Sequence, residues 1–217
     1  MAIIPKSALM VFALVVLCAA GMSQNQSDAT GVLREPGGTL EKAAKSRRIY
    51  VESRSNLDGQ LDFNDIKSIL RSSSVVLLGT PTENRCALTD DARDLRTVYT
   101  FTIERAFKGK MQSGETIQVA LPGGRYTFPD GSTAQINTPN YKRMLNGHRY
   151  LLFLSGIPSE HWFSPTGGSQ GIFEFREDNK VQPYSHLGFK QLKDYRQDDL
   201  LDEVHQSAQS EINDSKH

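Results

Sequence analysis

A glycine–serine–glycine pattern in the second half of the chain is the first arrangement that could do chemistry. Gly167, Ser169 and Gly171 have the G-x-S-x-G spacing of a hydrolase nucleophile elbow. Such an elbow needs a strand, a sharp turn and then a helix, which leave the serine hydroxyl exposed beside an oxyanion hole. The following residues, Ile-Phe-Glu-Phe, indicate a strand instead, so the pattern is interpreted as a tight turn or bulge. A catalytic Ser169, followed in hydrolase order by Asp178 and His186, is the alternative.

The thiol of Cys86 is the second candidate nucleophile. It lies beside Arg85, and a neighbouring cation lowers the pKa of a thiol. A single thiol with neither a resolving cysteine nor an evident histidine base is more often incidental. We therefore expect no catalytic residue, and a small exported hydrolase that uses Ser169 or Cys86 stays as the alternative.

The histidines and acidic residues show no metal-binding motif. No histidine pair has helical or strand ligand spacing, and adjacent residues such as Glu160 and His161 point to opposite faces of a strand. Asp90, Asp91 and Asp94 lack the regular ligand spacing of a calcium loop. The sequence therefore predicts no metal and no other cofactor.

An aromatic cluster in a polar loop is the best candidate for a binding site. The only tryptophan, Trp162, stands between His161 and Phe163. Tryptophan supplies a large contact area with few rotatable bonds, which suits a binding anchor. These three residues, with Arg93 in the other polar loop at 83–96, form the expected ligand-binding site. The favoured interpretation of Trp162 and Phe163 themselves is that they begin a strand and pack into the barrel mouth.

Residues 1–21 are interpreted as a signal peptide. One lysine precedes an apolar run over 8–20 that is too short for a comfortable membrane span, and small residues follow it. Cleavage there removes Cys18 and leaves Cys86 without a disulfide partner. Leu17 argues against lipid attachment at Cys18, because lipoprotein processing normally needs a small residue there. The protein is expected to be secreted or periplasmic, with no stable membrane span after cleavage.

Charge and length limit the partners and the architecture. The chain has 217 residues, with 25 basic and 25 acidic side chains. This length suits one domain with appendages. Balanced charge provides no overall field that would attract nucleic acid. The expected partner is therefore an extracytoplasmic protein or a small ligand, and not a nucleic acid.

Local patterns predict the elements that position these residues. Residues 22–60 are polar and are expected to form a flexible leader. A short helix follows near Phe63, with Asp62 or Asn64 as its N-cap. Residues 122–147, rich in Gly, Pro, Asn and Thr, are expected to be a long insertion. Five segments have apolar runs or alternation typical of strands: VVLLGTPTE, TVYTFTIERAFKG, ETIQVALPGG, HRYLLFL and SQGIFEFRE.

The five expected strands predict a mainly β domain over 61–183. Five short strands cannot bury two flat faces unless the sheet curls, so we expect a small, five-stranded, OB-like, partly closed barrel. A short helix precedes it, and residues 184–217 form a tail with an amphipathic C-terminal helix. The side chains expected to share one core are Tyr99, Phe101, Ile103, Ile117, Val119, Leu152 and Leu154, and Phe107 is expected on the same strand face as the first three.

The order of four segments resembles the netrin-like domain family, whose OB-type barrels include the tissue inhibitors of metalloproteinases. The segments are SVVLLGTPTE, VYTFTIERAFKG, ETIQVALPGG and LNGHRYLLFL. The family likewise pairs a long alternating strand, ending in an aromatic-Lys-Gly turn (here Phe107, Lys108 and Gly109), with a later glycine-led strand. The resemblance covers about half the chain and implies an extracellular binding or inhibitory module, not an enzyme.

Protease inhibition does not transfer with this resemblance. The inhibitors are rich in disulfides and chelate the target's metal through an N-terminal cysteine, and this chain has no such cysteine at its expected mature start. The sequence therefore predicts a secreted or periplasmic non-catalytic binding module of unknown ligand, with the small exported hydrolase as the alternative.

The signal-peptide interpretation predicts the N-terminus of the exported protein. Small residues follow the apolar run, so cleavage should fall between Ala20 and Gln24. N-terminal sequencing of the exported protein should show a start at residues 21–24. Recovery from the cytoplasm of an uncleaved protein that still begins with Met1 would contradict the prediction.

Overall fold

The computed structural model describes residues 38–54, 63–156, 161–185, 189, 192 and 195–214. The expected signal peptide over 1–21, including Cys18, lies outside these residues. The helices among them are α1 Leu40–Arg47, α2 Ile66–Ser72 and α3 Gln197–Asp214. The strands among them are β1 Ile49–Ser53, β2 Val75–Leu88, β3 Leu95–Lys108, β4 Thr116–Pro122, β5 Gly124–Thr127, β6 Thr133–Asn137, β7 Arg149–Gly156, β8 Phe163–Pro165, β9 Ile172–Phe175 and β10 Val181–Pro183.

The strands form two mixed sheets. The larger sheet has the order β10-β9-β7-β2-β3-β4-β8, and the smaller one has the order β1-β6-β5. Strand β8 pairs with β4 in parallel and also with β7 in the antiparallel sense. The strands β2, β3, β4, β8 and β7 therefore close a hydrogen-bonded ring. The expectation of a mainly β fold with a preceding helix and a C-terminal helix is confirmed.

The fifth member of the ring differs from the expected one. The last alternating segment, SQGIFEFRE, contains β9, which pairs with β7 outside the ring. The place of the fifth strand belongs to β8, in the segment expected to be a loop or broken strand. Only three residues long, β8 has no alternation that could be read from the sequence. Strand β9 shows a clear pattern because Phe173 and Phe175 are buried in the core on the helix side of the sheet, whereas Glu174 between them is half-buried on the other face.

Strands β2 and β7 pair with each other over residues 75–79 and 150–154, and these paired residues are buried on both faces of the sheet. Their side chains alternate between two hydrophobic cores, so Leu77 and Leu152 lie in one core while Val76 and Phe153 lie in the other. The first core fills the ring and contains all seven residues expected to share a core, which confirms that expectation. The second core lies between the sheet and helices α2 and α3, and includes Ile69, Leu70, Phe173, Phe189, Leu200 and Val204.

Phe107 does not share a core with the other apolar residues of β3. Tyr99, Phe101 and Ile103 lie in the ring core, whereas Phe107 packs against the helix-side core. The β2–β3 register shifts beside Glu104. Such an irregularity changes which face the following residues occupy. The alternation in the sequence therefore predicts the face of this strand only as far as Ile103.

Helix α2 begins one residue later than an Asn64 cap would place it and three residues later than an Asp62 cap would. Asp65 is the N-cap, and its carboxylate accepts a hydrogen bond of 2.7 Å from the backbone N–H of Ser68. Asp62 lies outside the described residues. The position of Asp65 lets its short side chain reach the third helical N–H, as an N-cap requires.

The smaller sheet joins two regions in which no strands are expected. Helix α1 and strand β1 fall within the expected flexible leader at 22–60, and β5 and β6 fall within the expected insertion at 122–147. Strand β1 pairs in parallel with β6, about 84 residues further along the chain. Strands of five residues that pair over such a separation leave little local signal in the sequence, and β5 has only four residues. These strands pack around Leu40, Ala44, Tyr50, Leu95, Phe128, Ala134 and Ile136.

The ring core predicts the cost of truncating Phe101. This side chain is fully buried, and its ring packs edge-on against Tyr150 at 6.1 Å between centroids. Phe101→Ala should reduce the free energy of unfolding by about 3 to 5 kcal/mol, because it removes a buried aromatic ring and leaves a cavity. Urea denaturation measures the change. Phe107→Ala, on a half-buried residue of the same strand, should cost less, and a loss below about 1 kcal/mol for Phe101→Ala would contradict the assigned core.

Candidate functional site

The glycine–serine–glycine segment is a packed turn. Ser169 is fully buried in a 3-10 turn, Gly168–Gly171, that leads directly into β9. A Cβ atom on Gly171 would lie 2.5 Å from the carbonyl oxygen of Thr166, and one on Gly167 would lie 2.7 Å from the Phe63 ring. Close packing therefore requires both glycines, and the serine hydroxyl is not presented as a nucleophile elbow would present it. His186, the histidine of the hydrolase alternative, lies outside the described residues.

Cys86 lies within β2 and not in a polar loop. The strand continues to Leu88 and β3 begins at Leu95, so the predicted loop at 83–96 shortens to a tight turn. Burial raises the pKa of the Cys86 thiol to about 11, although backbone hydrogen bonds involving Arg125 and Ala87 act in the opposite direction. The thiol is therefore protonated at neutral pH, which makes it a poor nucleophile.

The four predicted binding residues lie in different surroundings. Arg93 is exposed in the β2–β3 turn, where the backbone carbonyl of Ala92 accepts a hydrogen bond from Leu40 of α1. His161 is exposed just before β8. Phe163 begins β8 and packs, half-buried, against the ring core. The structure thus places Phe163 in the packing role that the sequence left open.

Trp162 packs on the outer side of the ring. Its half-buried side chain covers a small apolar cluster formed by Ala87, Val98 and Ala120. The guanidinium of Arg85 lies over its indole ring, 5.7 Å from the centroid. Trp162 therefore helps to position Arg85. Arg85 also lines a groove that the sequence did not predict.

This groove, which we call the cationic groove, runs between strands β2–β4 and the smaller sheet. Its volume is about 690 Å³, and it is open to solvent. It is lined by Asn84, Arg85, Cys86, Thr97, Tyr99, Leu121, Pro122, Gly123, Gly124, Arg125, Ile136, Asn137, Thr138, Pro139, Tyr141, Lys142 and Arg143. Four of these side chains are cationic and none is acidic.

The four cations of the groove have no acidic partner in the described part of the chain. Arg85, Arg125, Lys142 and Arg143 are all exposed, and none forms an ion pair with a described residue. Like charges on one open surface attract anions from solution. The groove therefore offers an uncompensated positive surface on a chain whose overall charge is zero.

A double-glycine turn positions Arg125. Gly123 and Gly124 both have positive φ angles, 87° and 135°, where the chain passes from β4 to β5. A Cβ atom on Gly124 would lie 2.7 Å from the Cys86 sulfur. The Thr97 hydroxyl donates to the Gly123 carbonyl over 2.9 Å. The turn is therefore pressed against β2 and β3, and it starts the strand that carries Arg125.

Tyrosine hydroxyls anchor the segment that carries Lys142 and Arg143. The backbone N–H of Met144 donates to the Tyr99 hydroxyl over 3.2 Å, and that of Leu145 donates to the Tyr150 hydroxyl over 2.9 Å. Burial raises the pKa of Tyr99, while the nearby charge of Arg143 acts in the opposite direction. The interior of the ring thus fixes a segment of irregular backbone at the edge of the groove.

A second groove, of about 820 Å³, carries charges of both signs. His148 Nδ1 lies 2.7 Å from a Glu174 carboxylate oxygen, and Arg176 lies 3.6 Å from Asp178. Arg149 pairs with Glu104 at 2.8 Å. Since Arg149 and Arg176 are paired with carboxylates, this larger groove offers a ligand fewer unpaired cations than the cationic groove does, although Lys142 lines both grooves.

The described residues contain neither a cluster suited to a metal ion nor a helix suited to a membrane. No group of three or more His, Cys, Asp or Glu side chains among them is placed to hold a metal ion. No helix within the same residues has the length and apolar character needed to cross a membrane.

Comparison with known proteins adds no functional assignment. No protein-family model matches the chain, and no curated protein sequence resembles it significantly. The candidate site therefore rests on the geometry of the groove. One sequence signal was available, since Arg125, Lys142 and Arg143 all fall in the Gly- and Pro-rich insertion.

The raised pKa of Cys86 predicts how its reactivity depends on pH. Alkylation by iodoacetamide should be slow at neutral pH and should accelerate as the pH rises towards about 11, because the thiolate is the reactive form. A Cys18→Ser variant isolates Cys86, and the urea-unfolded chain should react at lower pH. The unfolded chain releases the thiol proton at a lower pH than the folded chain does. The buried, protonated thiol of Cys86 therefore contributes less to the free energy of unfolding as the pH rises from about 9 to about 11. A rate that is already maximal at neutral pH would contradict the assignment.

Proposed function

We propose that this protein is an exported, non-catalytic binding module that uses the cationic groove as its ligand site. The observation that carries the proposal is the set of four exposed cations that face one groove without an acidic partner among the described residues. Charged side chains that form no internal pairs are available to an external ligand and direct its approach.

The proposal includes an OB-like barrel as the scaffold. Around the ring the strands follow the order β2-β3-β4-β8-β7, which is first, second, third, fifth and fourth by position in the chain. The third and fifth of these strands, β4 and β8, are parallel. This connectivity supports an OB-type, partly closed Greek-key barrel. The resemblance to netrin-like domains belongs to the same proposal, because those domains are extracellular binding modules built on such a barrel. An extracytoplasmic protein or a small ligand is the proposed partner.

The surroundings of both candidate nucleophiles support the proposal that the protein is not a catalyst. Ser169 is fully buried in a packed turn, and burial keeps the Cys86 thiol protonated at neutral pH. Export is supported by the apolar run and small residues of the expected signal peptide at 1–21. The alternative, a small exported hydrolase, requires one of these nucleophiles to become accessible and reactive.

Site-specific photo-crosslinking tests the groove as a binding site. A photoreactive side chain replaces Asn84, an exposed, uncharged residue of the groove, and the protein is irradiated in its native extracytoplasmic extract. A defined adduct should form, because a ligand in the groove lies within reach of position 84. The matched control places the same group at Gln112, an exposed amide outside the groove lining.

The control position and chemical probes separate the outcomes. Adducts at neither position, or the same adducts at both, would contradict the groove as a binding site. Labelling of Ser169 or Cys86 by serine- or cysteine-directed activity probes would favour the hydrolase alternative instead.

A further inference from the structure

Four described arginines outside the cationic groove, Arg54, Arg96, Arg149 and Arg176, pair with carboxylates. Arg54 lies 2.6 Å from Glu52, and Arg149 lies 2.8 Å from Glu104. The three arginines of the cationic groove have no such partner among the described residues. A guanidinium group presents a planar fork of donors that matches a carboxylate in a bidentate manner. Carboxylates of a ligand would therefore complete a pairing that the chain uses elsewhere.

Guanidinium groups pair with phosphate as well as with carboxylate. Among the described residues, however, the groove has neither a helix N-terminus, which favours phosphate, nor a fully exposed aromatic ring, which favours nucleic acid. Its lining comes from strands and from irregular backbone, and no helix N-terminus among the described residues contributes to it. Single-stranded nucleic acids bind by stacking bases on exposed aromatic rings. The lining aromatics are Tyr99, which is 2% exposed, and Tyr141, which packs half-buried against the ring core. Neither side chain is a fully exposed ring.

The remaining polar side chains suit a peptide backbone. Asn84 and Asn137 are exposed at the groove and carry both a donor and an acceptor. The four cations are carried by β2, by β5 and by the segment 141–145, so they are distributed around the groove and not collected at one point. A distributed set of charges matches a ligand that carries several separate acidic groups.

We propose that the cationic groove binds an acidic peptide segment, whose Asp and Glu carboxylates pair with Arg85, Arg125, Lys142 and Arg143. This inference rests on the proposed function, because it names the chemistry of the ligand for the same groove. The pairs lie at an exposed surface, so salt should weaken binding strongly by screening the charges. Association should be fast at low salt because the positive surface steers an acidic segment towards the groove.

Direct binding to defined oligomers tests the inference. The purified full chain is titrated with a fluorescent glutamate oligopeptide at low and at high salt. Saturable binding is expected, with a loss of about tenfold or more in affinity at high salt. The glutamine oligopeptide of the same length should not bind. Arg125→Glu with Arg143→Glu should weaken glutamate binding by about tenfold or more, because two attractive contacts become repulsive.

A matched variant shows whether the effect belongs to the groove. Lys67→Glu with Lys110→Glu changes the net charge by the same amount at two exposed residues outside the groove lining, and it should keep most of the affinity. Thermal melting checks that both double variants fold. Equal losses in the two double variants would overturn the assignment to the groove.

The remaining outcomes separate this inference from the proposed function. A single-stranded DNA oligonucleotide of equal charge that binds as tightly as the glutamate peptide, or more tightly, would overturn the acidic-peptide assignment. If the glutamate peptide does not bind but an adduct forms only at position 84, the acidic-peptide assignment is overturned and the groove remains the proposed binding site. Absence of both would overturn the proposed function as well.

Discussion

The pairing of β2 with β7 is the constraint on which the rest of the structure depends. These two strands are neighbours in the larger sheet, and the residues that pair, 75–79 and 150–154, are buried on both faces. One face closes the ring core, and the other supports α2 and α3. A backbone enclosed by two cores must satisfy its hydrogen bonds within the sheet, which fixes the register of both strands. This strand pair, which both cores share, determines where the ring and the helical layer form. It also determines the positions of β3, β4 and β9.

The cationic groove results from the way the smaller sheet packs against β2 and β3 of the larger sheet. Strand β2 runs beyond the ring to Leu88, so that Arg85 and Cys86 lie beside the start of β5. The double glycine at 123 and 124 lets β5 approach β2 and β3 closely enough to form one side of a groove. The buried hydroxyl of Tyr99 holds the segment on the other side. Rigid elements thus place cations whose long side chains stay in solvent, a suitable arrangement for recognition by charge.

The same packing surrounds the two candidate nucleophiles, Ser169 and Cys86. Gly167 and Gly171 are glycines because Phe63 and a neighbouring carbonyl leave no space for a Cβ atom. Cys86 is covered by the turn at Gly124, and this burial keeps its proton bound. A hydroxyl network, in which the Ser73 hydroxyl contacts Thr166 over 3.0 Å and Thr166 contacts Ser155 over 2.8 Å, occupies the polar groups near the buried serine turn. These residue types therefore serve the fold.

The sequence by itself determined the elements whose signals are local. Alternation predicted β3 and β4, the two-sided apolar run predicted β7 as a central strand, and the seven ring-core residues follow from those patterns. Only the tertiary structure decided the members of the ring, the smaller sheet and the cationic groove. Strand β8 is too short for a period, β1 pairs with a distant β6, and the shift beside Glu104 redirects Phe107. Charges carried by separate segments become one surface only when long-range pairing brings those segments together, and no local pattern of residues encodes that pairing.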